Sequence, residues 1–261
     1  MESKEQAWLK KRSGRPTSSK VETLFKGGSR PATDDEVVIY KLIKSTRKTT
    51  DLEFGEVAID YLYELAYERE SGQPTWTPSN RNFDWGKQQE PYAIKYLKAN
   101  HPELDVKHCS GDDFDEIVFN VGSCGLGDSP DFYSGSDAVG EIKCVMTGSK
   151  LKRIKEMTRE EARKEYEYQF AGHLIGAPWS TKLIYCAYFG QNDDNEYDTL
   201  DPLDPSRGII FTYDRCEFTD LIAAIEAKVT HVMSFLEAVD NGELKPNGKP
   251  WLIRDINEFK G

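Results

Sequence analysis

The chain of 261 residues has no hydrophobic run approaching the length of a membrane span, and its opening Met1-Glu2-Ser3-Lys4-Glu5-Gln6 is charged where a secretion signal would be apolar. A cytoplasmic protein that does not engage a membrane is the expectation. The five cysteines, Cys109, Cys124, Cys144, Cys186 and Cys216, form no Cys-x-x-Cys pair and are odd in number, which argues against a disulfide framework or a zinc site. The four histidines, His101, His108, His173 and His231, have no paired ligand spacing, so each reads as a surface or packed imidazole. No internal repeat or low-complexity linker interrupts the chain, and one domain over residues 1–261 is expected.

Positive charge is outweighed by negative, 34 lysines and arginines against 45 aspartates and glutamates. The net charge of −11 argues against a surface that binds nucleic acid everywhere. Its distribution is uneven, however. Residues 1–30 hold eight lysines and arginines against three glutamates, a net +5 that leaves −16 for the remainder. A second basic stretch, residues 150–164, has seven cations against three glutamates. An acidic body with two local basic segments suits a protein that holds a polyanion at one confined place, although taken by itself the pattern is better explained by ordinary charged helices.

Against that background stands one pattern of chemistry-bearing residues. Ser129-Pro130-Asp131 is followed ten residues after the aspartate by Glu141-Ile142-Lys143-Cys144. An Asp at one strand end and a Glu on the next strand can hold a divalent cation with hard oxygen ligands. Lys143 shares the strand face of Glu141, because residues two apart in a strand point the same way, and could aim an attacking water. The alternation predicts a strand from Ala138 to Val145 with Val139, Glu141, Lys143 and Val145 on one face and Ala138, Gly140, Ile142 and Cys144 on the other. Two charged residues in mid-strand need an opposite charge, a metal or a ligand.

Further elements follow from periodicity. Helices are expected at Lys4 to Lys11, Asp35 to Lys44, Glu53 to Glu70, Asp84 to Ala99, Arg159 to Ile175 and Phe218 to Asp240, with Pro91 either kinking the fourth or marking its start. Thr17-Ser18-Ser19 reads as a set of capping hydroxyls for a short helix ending at Phe25. Strands are expected at Asp115 to Val121, Asp131 to Tyr133, Thr181 to Phe189 and Gly208 to Tyr213, and an acidic loop at Asp193 to Asp204. Glu90, Ile94 and Leu97 share one helix face, which turns a carboxylate toward the interior. Gln169 and His173 lie one turn apart beside the apolar stripe of Tyr166, Phe170 and Leu174, candidates for a polar contact to the site.

Taken together, four segments resemble the lambda-type exonucleases, also called YqaJ-like viral recombinases, of the PD-(D/E)xK nuclease superfamily. They are Trp8-x-x-x-Arg12-x-Gly14-x-x-Thr17-x-Ser19, Trp85-Gly86-Lys87-Gln88-Gln89-Glu90, the Ser129-Pro130-Asp131 and Glu141-Ile142-Lys143-Cys144 core, and Tyr166-x-x-Gln169. The resemblance implies an α/β fold with a restriction-endonuclease-like core, a central mixed sheet flanked by helices. It implies Mg2+, two ions with Mn2+ as a substitute, held by Asp131, Glu141, the Ile142 carbonyl and Glu90, with Lys143 positioning the nucleophilic water and Gln169 supporting it. Arg12 with Ser19 or Ser18 would hold a terminal 5′-phosphate, and Arg81 would contact the DNA backbone.

The implied activity is 5′→3′ degradation of one strand of linear double-stranded DNA, leaving a 3′ overhang for phage-type recombination. The implied setting is a homotrimeric ring working with a single-strand annealing protein, encoded by a phage or prophage in a bacterial host. A structure-specific or restriction-type endonuclease on the same fold is the alternative, since the metal core is common to that superfamily. The iron–sulfur nucleases of CRISPR adaptation share the core too, but this chain has no convincing four-cysteine cluster.

Overall fold

A computed structural model describes residues 3–26, 54–75, 81–145, 149–190 and 200–242, with only the backbone at 56, 81–83 and 149–151. The expected helix at Asp35 to Lys44 and most of the acidic loop after Asp193 lie outside the described residues.

Helix α1 spans Lys4–Arg12, opened by a capping box in which the Ser3 hydroxyl accepts from Gln6 N–H and the Gln6 side chain accepts from Ser3 N–H. The next turn is not the capped helix expected from Thr17-Ser18-Ser19. It is a 3-10 turn, Val21–Phe25, preceded by Lys20 and without a side-chain cap, because the Ser18 hydroxyl donates instead to Asp128. Helix α2 follows at Glu56–Ser71 and α3 at Arg81–Asn100, which runs through Pro91.

Strands β1 (Val106–His108), β2 (Asn120–Val121), β3 (Gly127–Asp128), β4 (Phe132–Ser134) and β5 (Ala138–Cys144) come next. The strand expected from Asp115 is thus confined to its last two residues. The Val118 N–H upstream is spent on the Cys109 carbonyl rather than on a ladder. Helix α4 (Ser149–Lys155), helix α5 (Arg159–Gly176), strands β6 (Lys182–Tyr188) and β7 (Gly208–Asp214) and helix α6 (Thr219–Asp240) complete the described order. Helix α5 starts at a second capping box, Thr158 with Glu161.

The main sheet runs β1-β4-β5-β6-β7, with the β5–β6 pair parallel and the others antiparallel, while β2 and β3 form a separate two-stranded ribbon. A parallel pair needs a crossover, and α4 and α5 supply it. Helix α3 covers one face of the sheet, packing Ala93, Ile94, Tyr96 and Leu97 against Ala138, Ile142, Ile184 and Cys186. Helices α5, α6 and α2 cover the other, where Val139, Val145, Leu183 and Tyr185 meet Phe170, Leu174, Val229, Leu236 and Leu62. The two faces of β5 are those its alternation predicts.

One mismatch of lengths positions the chemistry. β4 pairs with β5 only at Phe132–Gly140, Tyr133–Val139 and Ser134–Ala138, whereas β6 pairs with β5 along its whole length. Among the described residues the second half of β5 therefore has a strand partner on one side only, and that half carries Glu141 and Lys143.

Candidate active site

Asp131 is the residue just before β4, at the point where β4 and β5 part. Its backbone N–H still reaches the Gly140 carbonyl at 3.1 Å, and its carboxylate takes the Ile142 N–H that β4 is too short to pair, at 2.6 Å to Oδ2. The strand expected to begin at Asp131 begins one residue later, which leaves this carboxylate at the strand end.

Glu141 is 3% exposed and faces α5. Its Oε1 accepts from Gln169 Nε2 at 2.9 Å and forms an ion pair with Lys143, while Oε2 lies 2.8 Å from His173 Nε2. The mid-strand charges have thus found their counter-charges. Burial works against the ionised Glu141 carboxyl, but Lys143 and His173 outweigh it and bring its pKa down to about 2. Lys143 is disfavoured as a cation by burial, yet Glu141 and Asp131 raise its pKa above the ordinary value. Its ammonium also sits 5.6 Å from the centre of the Tyr166 ring.

Asp131 behaves oppositely. Burial first, then the charges of Glu141 and Glu90, push its carboxyl well above the usual range, against the pull of Lys143 and the Ile142 N–H. A carboxylate held beside other carboxylates with too little positive charge is a place that favours a cation.

Among the described residues no three His, Cys, Asp or Glu side chains form a ready cluster for a metal ion. The donor set is smaller: the Asp131 and Glu141 carboxylates with the carbonyl of Ile142, the residue after Glu141. That fits Mg2+, which is commonly bound by one or two carboxylates and fills its shell with water and substrate phosphate oxygens. Glu90 lines the same cleft but is engaged elsewhere, 2.6 Å from His108 Nε2 and accepting from the Ser110 hydroxyl at 2.8 Å.

A cleft of about 970 Å³ opens over this centre, with Asp131, Gln169 and Glu90 in its wall together with Trp8, Arg12 and Thr17-Ser18-Ser19. Arg12 stacks on Trp8, 4.6 Å from its guanidinium carbon to the ring centre, and the Trp8 indole N–H donates to the Ser129 hydroxyl at 2.7 Å. Residues 121 positions apart thereby join the first motif to the aspartate motif. Ser19 is exposed in the cleft, whereas Ser18 is buried and its hydroxyl donates to Asp128 Oδ1 at 2.6 Å. The side chain of Arg81, at the first residue of α3, lies outside the described residues.

The second basic stretch is less available than its charge suggests, since Arg153 pairs with Glu165, Arg159 with Glu217 and Arg163 with Glu160. Sequence reasoning missed Asp128 and the contacts of His108 and Ser110 to Glu90. The one-turn spacing of Gln169 and His173 did point to the site, although His173's second carboxylate, Asp128, was not foreseen.

The fold is an α/β core, a mixed sheet flanked by helices, with Asp131, Glu141 and Lys143 at the parting of β4 and β5. Among solved structures the chain is similar to an alkaline exonuclease from Laribacter hongkongensis, with a TM-score of 0.60 at 20% identity, covering 91% of this chain and 95% of that one. The same exonuclease in complex with dAMP matches equally. A phage-related exonuclease from Haemophilus somnus 129PT matches with a TM-score of 0.58 at 13% identity, over 88% of this chain and 96% of that one. No protein-family model and no curated protein matches the sequence.

Proposed function

We propose that the chain is a Mg2+-dependent 5′→3′ exonuclease of the lambda type that degrades one strand of linear duplex DNA from a phosphorylated end and leaves a 3′ overhang. The observation that carries this reading is the placement of Arg12 and Ser19 in the same cleft as Asp131 and Gln169. Two structural neighbours are exonucleases by description, and one was crystallised with a mononucleotide, the kind of product an exonuclease releases.

Asp131, Glu141 and the Ile142 carbonyl would hold the metal. When bound, Mg2+ supplies Lewis-acid stabilisation of the charge that builds on the phosphate and leaving oxygens. Lys143 and Gln169 hold Glu141 in place, and the Lys143 ammonium aims the attacking water at phosphorus. Glu90, held against His108 and Ser110, adds negative charge to the cleft and would help hold the metal. Arg12 grips the terminal 5′-phosphate, with Ser19 as the partner hydroxyl because that of Ser18 is committed to Asp128. Arg81 would reach the DNA backbone.

In the same reading the protein works as a homotrimeric ring with a single-strand annealing protein in phage-type recombination, inside the cytoplasm of a bacterial host. A ring would reconcile an acidic exterior with a basic path for DNA.

The test is release of nucleotides from linear duplex DNA in Mg2+, with Lys143→Ala as the comparison. Loss of activity by about 10²-fold or more is expected on removing a residue of this kind. Equal release by both proteins would remove the catalytic assignment. Cleavage of covalently closed circular DNA, with no preference for linear ends, would replace the exonuclease by an endonuclease.

A further inference from the structure

Behind Glu141 lies a chain of buried polar groups that the proposed chemistry does not use directly. His173, on α5, is fully buried, with Nε2 2.8 Å from Glu141 Oε2 and Nδ1 2.7 Å from Asp128 Oδ1. Asp128, on β3, is 1% exposed, and its Oδ1 also accepts from the Ser18 hydroxyl. A neutral imidazole has one N–H, so an imidazole facing a carboxylate at each nitrogen satisfies both only as a double donor.

We propose that Asp128 and His173 are positioning residues for Glu141: Asp128 orients the imidazole, and the imidazole holds the metal-binding carboxylate from behind. This inference rests on the metal-dependent nuclease reading. Three considerations support it. First, a buried chain of two carboxylates and an imidazole is a poor source of stability compared with apolar packing, so its presence calls for another role. Second, a ligand carboxylate performs best when it is itself hydrogen-bonded. Glu141 is held at Oε1 by Gln169 and Lys143 and at Oε2 by His173, which occupies three of the carboxylate's four lone pairs and leaves one, on Oε2, for a cation.

Third, the surroundings are shaped to admit the chain. A Cβ at Gly176 would lie 2.3 Å from Asp128 Cβ, and one at Gly172 would lie 2.6 Å from Ser18 Cβ. Glycine at both positions lets β3 and the Ser18 loop press onto α5. The loop is fastened further by Ser18 N–H to the Gly127 carbonyl at 2.9 Å and Gly127 N–H to the Pro16 carbonyl at 2.8 Å. The anchor of the imidazole, Asp128, is therefore tied to the loop whose Thr17 and Ser19 line the cleft.

The experiment measures Mn2+ binding by titration calorimetry on the full chain without DNA, together with kcat and KM on 5′-phosphorylated duplex, for wild type, His173→Gln, Asp128→Asn and the double variant. Chemical denaturation confirms that each is folded. Expected for His173→Gln is a loss of about 10- to 100-fold in Mn2+ affinity and in kcat, the usual size for groups that orient a ligand, with KM for DNA within about twofold. Asp128→Asn should show a smaller loss in the same two quantities, and the double variant should be no worse than His173→Gln, because the two act in series.

Wild-type affinity and kcat in folded His173→Gln, or losses that simply multiply in the double variant, overturn the proposal. Should His173→Gln not fold, unchanged affinity and kcat in Asp128→Asn overturns it instead. A wild type that neither binds Mn2+ nor cleaves DNA overturns the nuclease reading itself. Wild-type binding and cleavage with unaffected variants overturns only the positioning role.

Discussion

The buried ion network around Glu141 has opposite pH signatures at its two ends. His173 would lose charge on burial, but Asp128 and Glu141 raise its pKa to about 10, against about 6.5 for an ordinary imidazole. A raised pKa means that the folded state binds the proton more tightly, so this contribution to stability is complete below about 6.5 and disappears as pH climbs through about 10. Glu141, lowered to about 2, contributes above its unfolded value near 4.3 and loses that contribution as pH falls toward 2. In the presence of a chelator, the urea midpoint of the wild type should therefore drop more between pH 7 and pH 10 than that of His173→Gln. Parallel pH curves for the two proteins would contradict this account of the imidazole.

Arg12 offers a second measurement at this scale. Its guanidinium sits 4.6 Å from the centre of the Trp8 ring, in the cleft that the exposed Ser19 also lines. Arg12→Ala should abolish the preference for 5′-phosphorylated over 5′-hydroxyl ends while sparing the metal centre, so the ratio of the two rates should approach one. A ratio unchanged from wild type would take the end-binding role away from Arg12.

Among the elements, α5 does the most to organise the site, since it presents Gln169 and His173 to Glu141 and Gly172 and Gly176 to the loops around Ser18 and Asp128. Gly172→Ala would bring a methyl within 2.9 Å of the Ser18 Cα, a backbone atom that cannot swing aside. Overpacking of this kind should cost about 1–3 kcal/mol, measurable as a lower denaturation midpoint, and should lower nuclease activity as well. An unaltered midpoint would indicate that the Ser18 loop yields freely.

The helices were legible in sequence because their apolar periodicity is local, and α1, α2, α3, α5 and α6 fall within a few residues of expectation. Strand β5 was legible because its alternation agrees with the burial of both its faces. The strand expected from Asp115 mostly failed: its β-branched and aromatic residues suit a sheet, but Val118 bonds to Cys109 in an irregular segment. The hydroxyls at 17–19 were misread as caps, since a Ser bonding an Asp 110 positions away leaves no local signal.

For the molecule as a whole, the separation of charge in the sequence becomes a question of assembly. The basic first segment lines the cleft with Arg12, whereas several arginines of the second are paired with glutamates. Binding to DNA should accordingly fall with added salt, with a modest slope set by few phosphate contacts on each chain. A ring predicts a solution mass three times 29.7 kDa, retained on a short duplex and measurable by light scattering. A strictly monomeric mass with and without DNA would count against the ring and leave the catalytic centre untouched. The grouping of Asp131, Glu141 and Lys143 was readable from one short motif, because the parting of β4 and β5 places a motif residue on each side of it. The Asp128–His173 support could not be read that way: its members lie 45 positions apart and belong to no shared pattern.

The seven-residue register between β5 and β6 has one more consequence. Side chains of β5 alternate between the apolar face under α3 and the charged face under α5, so a single-residue slip would bury Glu141 and Lys143 in hydrocarbon and turn Ile142 toward the imidazole. Lineages descended from this protein could then lengthen or shorten that strand only in even steps; an odd change would cost fold and chemistry together.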